Sequence, residues 1–332
     1  MNLNLDTRET KQTKDIIIMK TCLKSPKPGC NPSDLATAGA SRLKKTKGST
    51  MIINGFASKA AALRHLKAAG YPIHTILATP ESNPKVAKNG KMDVLTAPVH
   101  LAPYNLSGFQ VCAQASSGCA AACLHTAGNL VYMAQKDASR KAKTVAYFKE
   151  RDAFMAVLFF EIAAHARKAK ALGMECGVRL NATSDLPWEK RMVTLQQVDR
   201  PVHEVNLMQW FNGVQFYDYT KITKRAISFA TGDTPENYHL TFSKTEDNDA
   251  DCIKVLEAGG NVSVVCSLSV YKQAKATGNL PYPYDTPDAI DGDAHDYRPG
   301  DGDRRGNIRG GLIVALKAKG DAKHDTSGFV IR

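Results

Sequence analysis

Short apolar runs that start hydrophobic and finish polar recur along this chain, most of them about 20–30 residues apart. They are Val94–Leu101, Val178–Asp185, Val214–Lys221, Tyr238–Lys244, Asn261–Cys266 and Gly311–Leu316, with a weaker run ending at Ala289-Ile290. The first is weakened as a strand by Pro98. Helical stretches such as Asp249–Ala258 lie between most of them. Strands alternating with helices predict βαβ units and a mostly parallel sheet. Six or seven such units make the expected fold α/β, a barrel complete or partial, over residues 92–332.

Upstream, Ala61, Ala62, Leu63, Leu66 and Ala69 share a helical face, and Gly70 before Tyr71-Pro72 is a stop signal. Residues 51–91 are therefore expected to be a small helical extension ending in a polar loop from Glu81 to Lys91. Tyr132–Leu172 has no Gly or Pro and carries a stripe of Val145, Phe148, Phe154, Val157, Leu158, Ile162 and Ala166. It predicts one helix or two, closed by Gly173.

The net charge is +12, and residues 1–50 hold ten Lys/Arg against four Asp/Glu. That stretch has little apolar periodicity, so a basic, partly disordered arm is expected. Such an arm suits a polyanion (DNA, RNA or a nucleotide), or is simply a solvated tail. No arginine-rich helix, zinc-finger spacing or RNA-binding sheet motif accompanies it. With 43% hydrophobic and 23% charged residues, wholesale disorder is excluded. The longest apolar candidate for a membrane span, Phe154–Ala164, is interrupted by Glu161. There is no secretory apolar region near the N-terminus, so a cytoplasmic location is expected.

Of the eight cysteines, Cys176 and Cys266 sit in or beside strand-like runs and read as core. Cys22 and Cys30 flank a basic Pro/Gly stretch and are either bystanders or a second ligand pair. Cys112, Cys119 and Cys123 form a C-x6-C-x3-C cluster filled with small residues. Small neighbours leave room for a bulky ligand, and the x3 spacing puts Cys119 and Cys123 one helical turn apart. Three convergent thiolates suit a metal or an iron–sulfur cluster. Zinc normally takes four ligands, and His125 could supply the fourth. Three cysteines packed in an Ala-rich core is the bland alternative.

Ligands of parallel α/β proteins bind where the carboxyl ends of the strands converge. Here those ends carry Asn181, Ser184 and Asp185; Tyr217, Asp218, Tyr219 and Lys221; Thr241, Ser243, Lys244 and Glu246; and, after the last run, Lys317, Lys319 and Lys323. Asp185, Asp218, Tyr219 and His239 are the candidates for acid–base chemistry. Asn181, Ser184, Lys221 and Ser243 are candidates for ligand contact, and Lys317 and Lys319 for phosphate. His239 could equally be a satisfied core histidine, and Trp188 could stack on a base or simply pack. Asp291-Gly-Asp-Ala-His-Asp296 reads as a divalent-metal loop or a solvated acidic turn, next to a charged stretch with Asp303, Arg304 and Arg305. A tyrosine nucleophile at Tyr217 or Tyr219 lacks the histidine pair that usually accompanies it. There is no phosphate-binding P-loop, no G-x-G-x-x-G after a strand and no G-x-S-x-G.

The run Leu101–Cys112, the segment Cys123-Leu-His-Thr-Ala-Gly128, and the blocks Arg179–Asp185, Phe216–Lys221, Asn237–Ser243 and Asp291–Asp296 together resemble a widespread bacteriophage family, the gene product eighty-eight type. The resemblance covers about residues 92–331. It implies a phage origin and action in the host cytoplasm, but no particular activity. More distantly the layout is similar to radical-SAM enzymes, partial (β/α)6 barrels whose three cluster cysteines follow the first strand. That similarity implies a 4Fe–4S cluster on Cys112, Cys119 and Cys123, with one iron open to S-adenosylmethionine. The family spacing C-x3-C-x2-C differs from that found here. The Gly-Gly-Glu run that holds the methionine amine is replaced by Asn181-Ala-Thr-Ser-Asp185. A radical-SAM-like enzyme acting on a nucleotide or nucleic acid is the leading expectation. The alternatives are a nucleic-acid-binding protein with a structural metal site, and a metal-dependent nuclease using Asp291, Asp293, His295 and Asp296.

Overall fold

The computed structural model describes residues 51–123, 133–197, 200–280, 289–299, 301 and 311–332. The arm expected over residues 1–50, with Cys22 and Cys30, lies outside the described residues. So do His125 and the stretch containing Asp303, Arg304 and Arg305.

The strands are β1 (Met51–Ile53), β2 (Val94–Pro98), β3 (Glu175–Arg179), β4 (Met192–Gln197), β5 (His203–Asn206), β6 (Gln215–Thr220), β7 (Tyr238–Ser243), β8 (Asn261–Cys266), β9 (Ala289–Asp291) and β10 (Ile313–Lys317). Seven of them form one sheet in the order β2-β3-β6-β7-β8-β10-β9. All its neighbours run parallel. Among the described residues β2 and β9 are its two edges, so the strands define a sheet rather than a closed barrel. The last two strands exchange places, with β10 inserted between β8 and β9. Gly311 permits the entry to β10: a Cβ there would overlap the backbone carbonyl of Gly260 just before β8.

A second sheet, β1-β4-β5, is antiparallel. It takes β1 out of the helical extension expected over residues 51–91, whose helix at Lys59–Ala68 is present. β1 pairs with β4, some 140 positions on, and Asn54 Oδ1 accepts from Thr194 N at 2.7 Å. The segment after it is also anchored, since buried Glu161 accepts from the backbone N–H of Ile76 and Leu77. Sequence periodicity could not reveal β1, because it has three residues and its partner is remote.

The longer helices are α1 (Lys59–Ala68), α2 (Ser117–Ala121), α3 (Met133–Lys149), α4 (Arg151–Ala171), α5 (Thr223–Ala230), α6 (Asp249–Glu257) and α7 (Leu268–Thr277). The stretch expected as one helix or two is two, broken at Glu150 with φ −128° and ψ 49°. α1 starts where Ser58 Oγ accepts from Ala61 N and ends before Gly70 at φ +90°, a conformation glycine adopts without strain.

The side chains of β6 show how the sheet divides. Tyr217 and Tyr219 project from one face, and Phe216, Asp218 and Thr220 from the other. On the second face helices cover the sheet. Phe242, Val262, Val264 and Ile313 pack with Cys252, Val255 and Leu256 of α6 and Ala274 of α7. Each large side chain buried this way contributes about 1.5–3 kcal/mol relative to exposure. The first face is covered by loops instead: a one-turn helix at Pro84–Ala87, the turn after it, and the segment following β9. The polar groups of interest lie on that face and at the strands' carboxyl ends. No described helix is long and apolar enough to cross a membrane.

Candidate functional site

The cysteine loop follows β2, as expected. Its short helix α2 begins where Ser116 Oγ accepts from Cys119 N at 3.1 Å. Glu246, just past β7, ties the loop down. Its carboxylate accepts from Ser116 Oγ at 2.6 Å, Ser117 Oγ at 3.2 Å and Gly118 N at 2.7 Å. Gly118 must be small: a Cβ there would overlap Ser327 Oγ and sit 2.7 Å from Glu246 Oε2. The backbone N–H of Tyr104, itself at φ +53°, donates to Cys112 Sγ at 3.4 Å. Cys119 packs against Ala122, Ala318, Ala322, Phe329 and Val330.

The three cysteines are partly buried and none is in a disulfide, and Cys119 and Cys123 both act on Cys112. Burial pushes the Cys112 thiol up to about 11, and Asp185, Cys123 and Cys119 push the same way. Lys221, at the end of β6, hydrogen-bonds Cys119. Burial opposes its charge, but Cys119, Asp185 and Cys112 together hold it ionised above its usual range. Beside this group an open cleft of about 400 Å³ is lined by Ala113, Ser116, Lys221, Thr223, Thr245 and Asp247, among others. The donor chemistry of the trio fits a thiophilic metal or cluster. The sulfur positions do not yet form one: among the described residues no three His, Cys, Asp or Glu side chains stand close enough to hold a metal ion.

The other expected site residues fall into separate places. Asp218 is fully buried on the helix-covered face. It accepts from Asn181 N at 2.6 Å, Asn181 Nδ2 at 3.4 Å and Tyr238 Oη at 3.1 Å. Arg225 of α5 completes this network, donating to Glu189, to Asp185, to Thr220 Oγ1 and to Tyr238 Oη. Burial raises the Asp218 carboxyl to about 7, although Asn181, Arg179, Arg225 and Tyr238 pull the other way. Asp185 also accepts from Lys221 N at 2.8 Å, so it bridges this network and the thiols. Asn181 Oδ1 accepts from Ser184 Oγ, Leu186 N and the indole of Trp188. Asn181, Ser184 and the buried Trp188 thus brace the β3 turn. His239 is buried, in register with Tyr217 and edge-on to Phe229 at 4.9 Å. Ser243 accepts from Ser263 Oγ at 3.1 Å.

The acidic loop does not converge on one point. Asp291 pairs with Lys275 at 2.8 Å and accepts from Tyr271. Asp293 takes Lys319 Nζ at 2.6 Å and Lys317 N at 3.1 Å. Those two lysines, expected at phosphate, are therefore engaged at this loop, Lys317 through its backbone. Asp296 turns inward, fully buried, onto Arg179 at 2.9 Å, Lys85 at 3.6 Å and Tyr217 Oη at 3.1 Å. Burial opposes its charge, but Arg179, Lys85 and Arg298 reverse that and hold its carboxyl well below the usual range.

Around Asp296 lies a cationic group that sequence reading missed. Arg179 ends β3 and stacks 4.8 Å from the centroid of the Tyr219 ring. Lys85 lies 6.0 Å from the same ring. Burial brings Lys85 down to about 8. His100, two residues past β2, is pushed down to about 3 by burial and by Arg140, Arg179 and Lys143. Only Tyr219 of this group was foreseen. Lys85 lies in a stretch that reads as a polar loop, and nothing local marks it.

Fold and site together define an α/β protein whose parallel sheet carries a thiol-bearing loop at the carboxyl ends of its strands. The chain belongs to the Gene product 88 family, whose model matches residues 75–332. Neither the curated proteins nor the solved structures contain a match.

Proposed function

We propose that the strand ends form the active site of an iron–sulfur enzyme in which Cys112, Cys119 and Cys123 hold a 4Fe–4S cluster. One observation carries this reading: a single loop at the carboxyl ends of parallel strands presents three cysteines outside any disulfide, with Cys119 and Cys123 close enough to act on buried Cys112. A thiol whose ionisation burial opposes, as at Cys112, is relieved by a bound cation, which displaces the proton and compensates the charge. The sheet is read as a partial barrel of radical-SAM-like layout, with an open iron position available to S-adenosylmethionine or substrate. A bound cluster would supply one-electron chemistry there. The chain's own groups position it: Glu246 fixes the loop, and Lys221 holds a positive charge against Cys119. A nucleotide or nucleic acid is the proposed substrate class, in the cytoplasm of an infected host.

Oxygen-free purification tests the reading directly. Iron and acid-labile sulfide are expected with the native protein, together with the broad visible absorbance of a cluster. All three signals are expected to vanish in the Cys112→Ala/Cys119→Ala/Cys123→Ala variant. Colourless protein carrying zinc would replace the cluster with a structural metal site. Protein without metal under those conditions would remove the reading.

A further inference from the structure

Three buried polar atoms on the loop-covered face of the sheet have no hydrogen-bond partner among the described residues: His100 Nδ1, Arg179 Nε and Tyr219 Oη. They come from three consecutive elements of the sheet. His100 follows β2, Arg179 closes β3 and Tyr219 is the penultimate residue of β6. A buried donor or acceptor without a partner is costly, so three at neighbouring strand ends persist only where something meets them.

The surroundings say what that is. Lys85, Arg179 and Arg298 all act on Tyr219 or its neighbours, against the carboxylates of Asp296 and Asp301. Arg140 and Lys143 add positive charge on the His100 side. Arg140 is paired with Asp137 at 3.7 Å, and Lys143 donates to the Ile76 carbonyl at 3.2 Å. Arg179 spends its Nη1 on Asp296, which leaves its Nε edge for another acceptor. The excess is cationic, the free groups include N–H and O–H donors, and they arrive from separate elements rather than as one fork. A carboxylate offers two oxygens in one plane, whereas a phosphoryl group offers three acceptor oxygens pointing in different directions, which suits donors arriving from separate elements.

We propose that His100, Arg179 and Tyr219, with Lys85 behind them, bind the phosphoryl group of a small ligand. The site and the cysteine loop share the carboxyl end of β2, since both His100 and Cys112 follow that strand. The site stands whether or not the loop carries a cluster. Tyr219 supplies the hydroxyl donor, Arg179 the Nε donor, and neutral His100 a ring nitrogen whose tautomer follows the ligand.

Thermal melting of the full chain tests it, with inorganic phosphate compared with chloride and acetate at matched ionic strength, and a nucleoside monophosphate compared with its nucleoside. Phosphate or the monophosphate is expected to raise the melting temperature, and the nucleoside is not. A monophosphate that acts where inorganic phosphate does not identifies a nucleotide as the source. Tyr219→Phe keeps the ring under Arg179 and removes only the hydroxyl. It is expected to weaken phosphate or monophosphate binding about tenfold while leaving the ligand-free melting temperature no lower than native. Equal shifts from chloride or acetate would overturn the proposal. So would an unchanged shift in Tyr219→Phe, a ligand-free variant that melts early, or no shift with either phosphate compound. Iron content in Tyr219→Phe is expected to match the native protein, which separates failure here from failure of the cysteine reading.

Discussion

The two faces of β6 carry two buried polar networks of opposite character. On the helix-covered face, Asp218, Tyr238, Arg225, Asp185, Glu189 and Asn181 bond to one another, and Arg225 reaches four acceptor groups. On the loop-covered face, Arg179, Tyr219 and His100 keep polar atoms without a described partner, although Asp296 anchors the middle of the cluster. Both are buried and both are charged. A closed network rigidifies the scaffold, while an open one awaits a ligand, because an unmet buried donor persists only where something else repays its cost. Charge and burial are common to both networks; what differs is how many of their own polar groups are met.

Breaking the closed network gives the largest expected effect. Arg225→Ala leaves Asp185 and Glu189 buried without their cation and should cost about 3–5 kcal/mol, read by urea unfolding. An unchanged midpoint would show that the network is not structural. The two tyrosines sharpen the contrast. Tyr238→Phe removes a hydroxyl that donates to Asp218 and accepts from Arg225, and should cost about 1–3 kcal/mol. Tyr219→Phe, one strand away, should cost nothing in the absence of ligand. Similar losses in both would erase the difference between the faces.

The pH dependence has opposite sign on each face. His100 is depressed from its ordinary 6.5 to about 3 by burial and the cations around it, with Asp296 acting in its favour. Its neutral form is the folded form. Its contribution is therefore present above 6.5 and is lost as pH falls from there toward 3. Asp218 is raised from 3.8 to about 7. Its contribution is present below 3.8 and is lost as pH rises through 7. Each can change stability by at most about 1.4 kcal/mol per pH unit. Thermal melts across pH 3 to 8 should show His100→Gln flattening the acid side, an effect absent if the ring is solvated in the folded chain.

Much of the architecture was legible because hydrophobic periodicity is a local signal. The runs at Tyr238–Lys244 and Asn261–Cys266, and the helix after Asp249, appear within a residue or two of where the pattern places them. The antiparallel sheet was not legible, since β1 has three residues and its partner lies far along the chain. The cysteine loop was legible from spacing and small neighbours. Asp218 and Asp185 also looked like site residues, because a polar strand end reads the same whether it faces a ligand or an arginine. Nothing in the sequence pairs Asp218 with Arg225, or Lys85 with Asp296.

The sequence by itself determined the alternation of strand and helix, the position of the thiols after β2, and membership of the family. Only the tertiary structure decided that β10 lies inside β9, which polar residues satisfy one another, and which remain open. The physical reason is range. Periodicity and turn chemistry act over a few neighbouring residues, whereas desolvation and hydrogen-bond completion depend on which distant groups the folded sheet brings together.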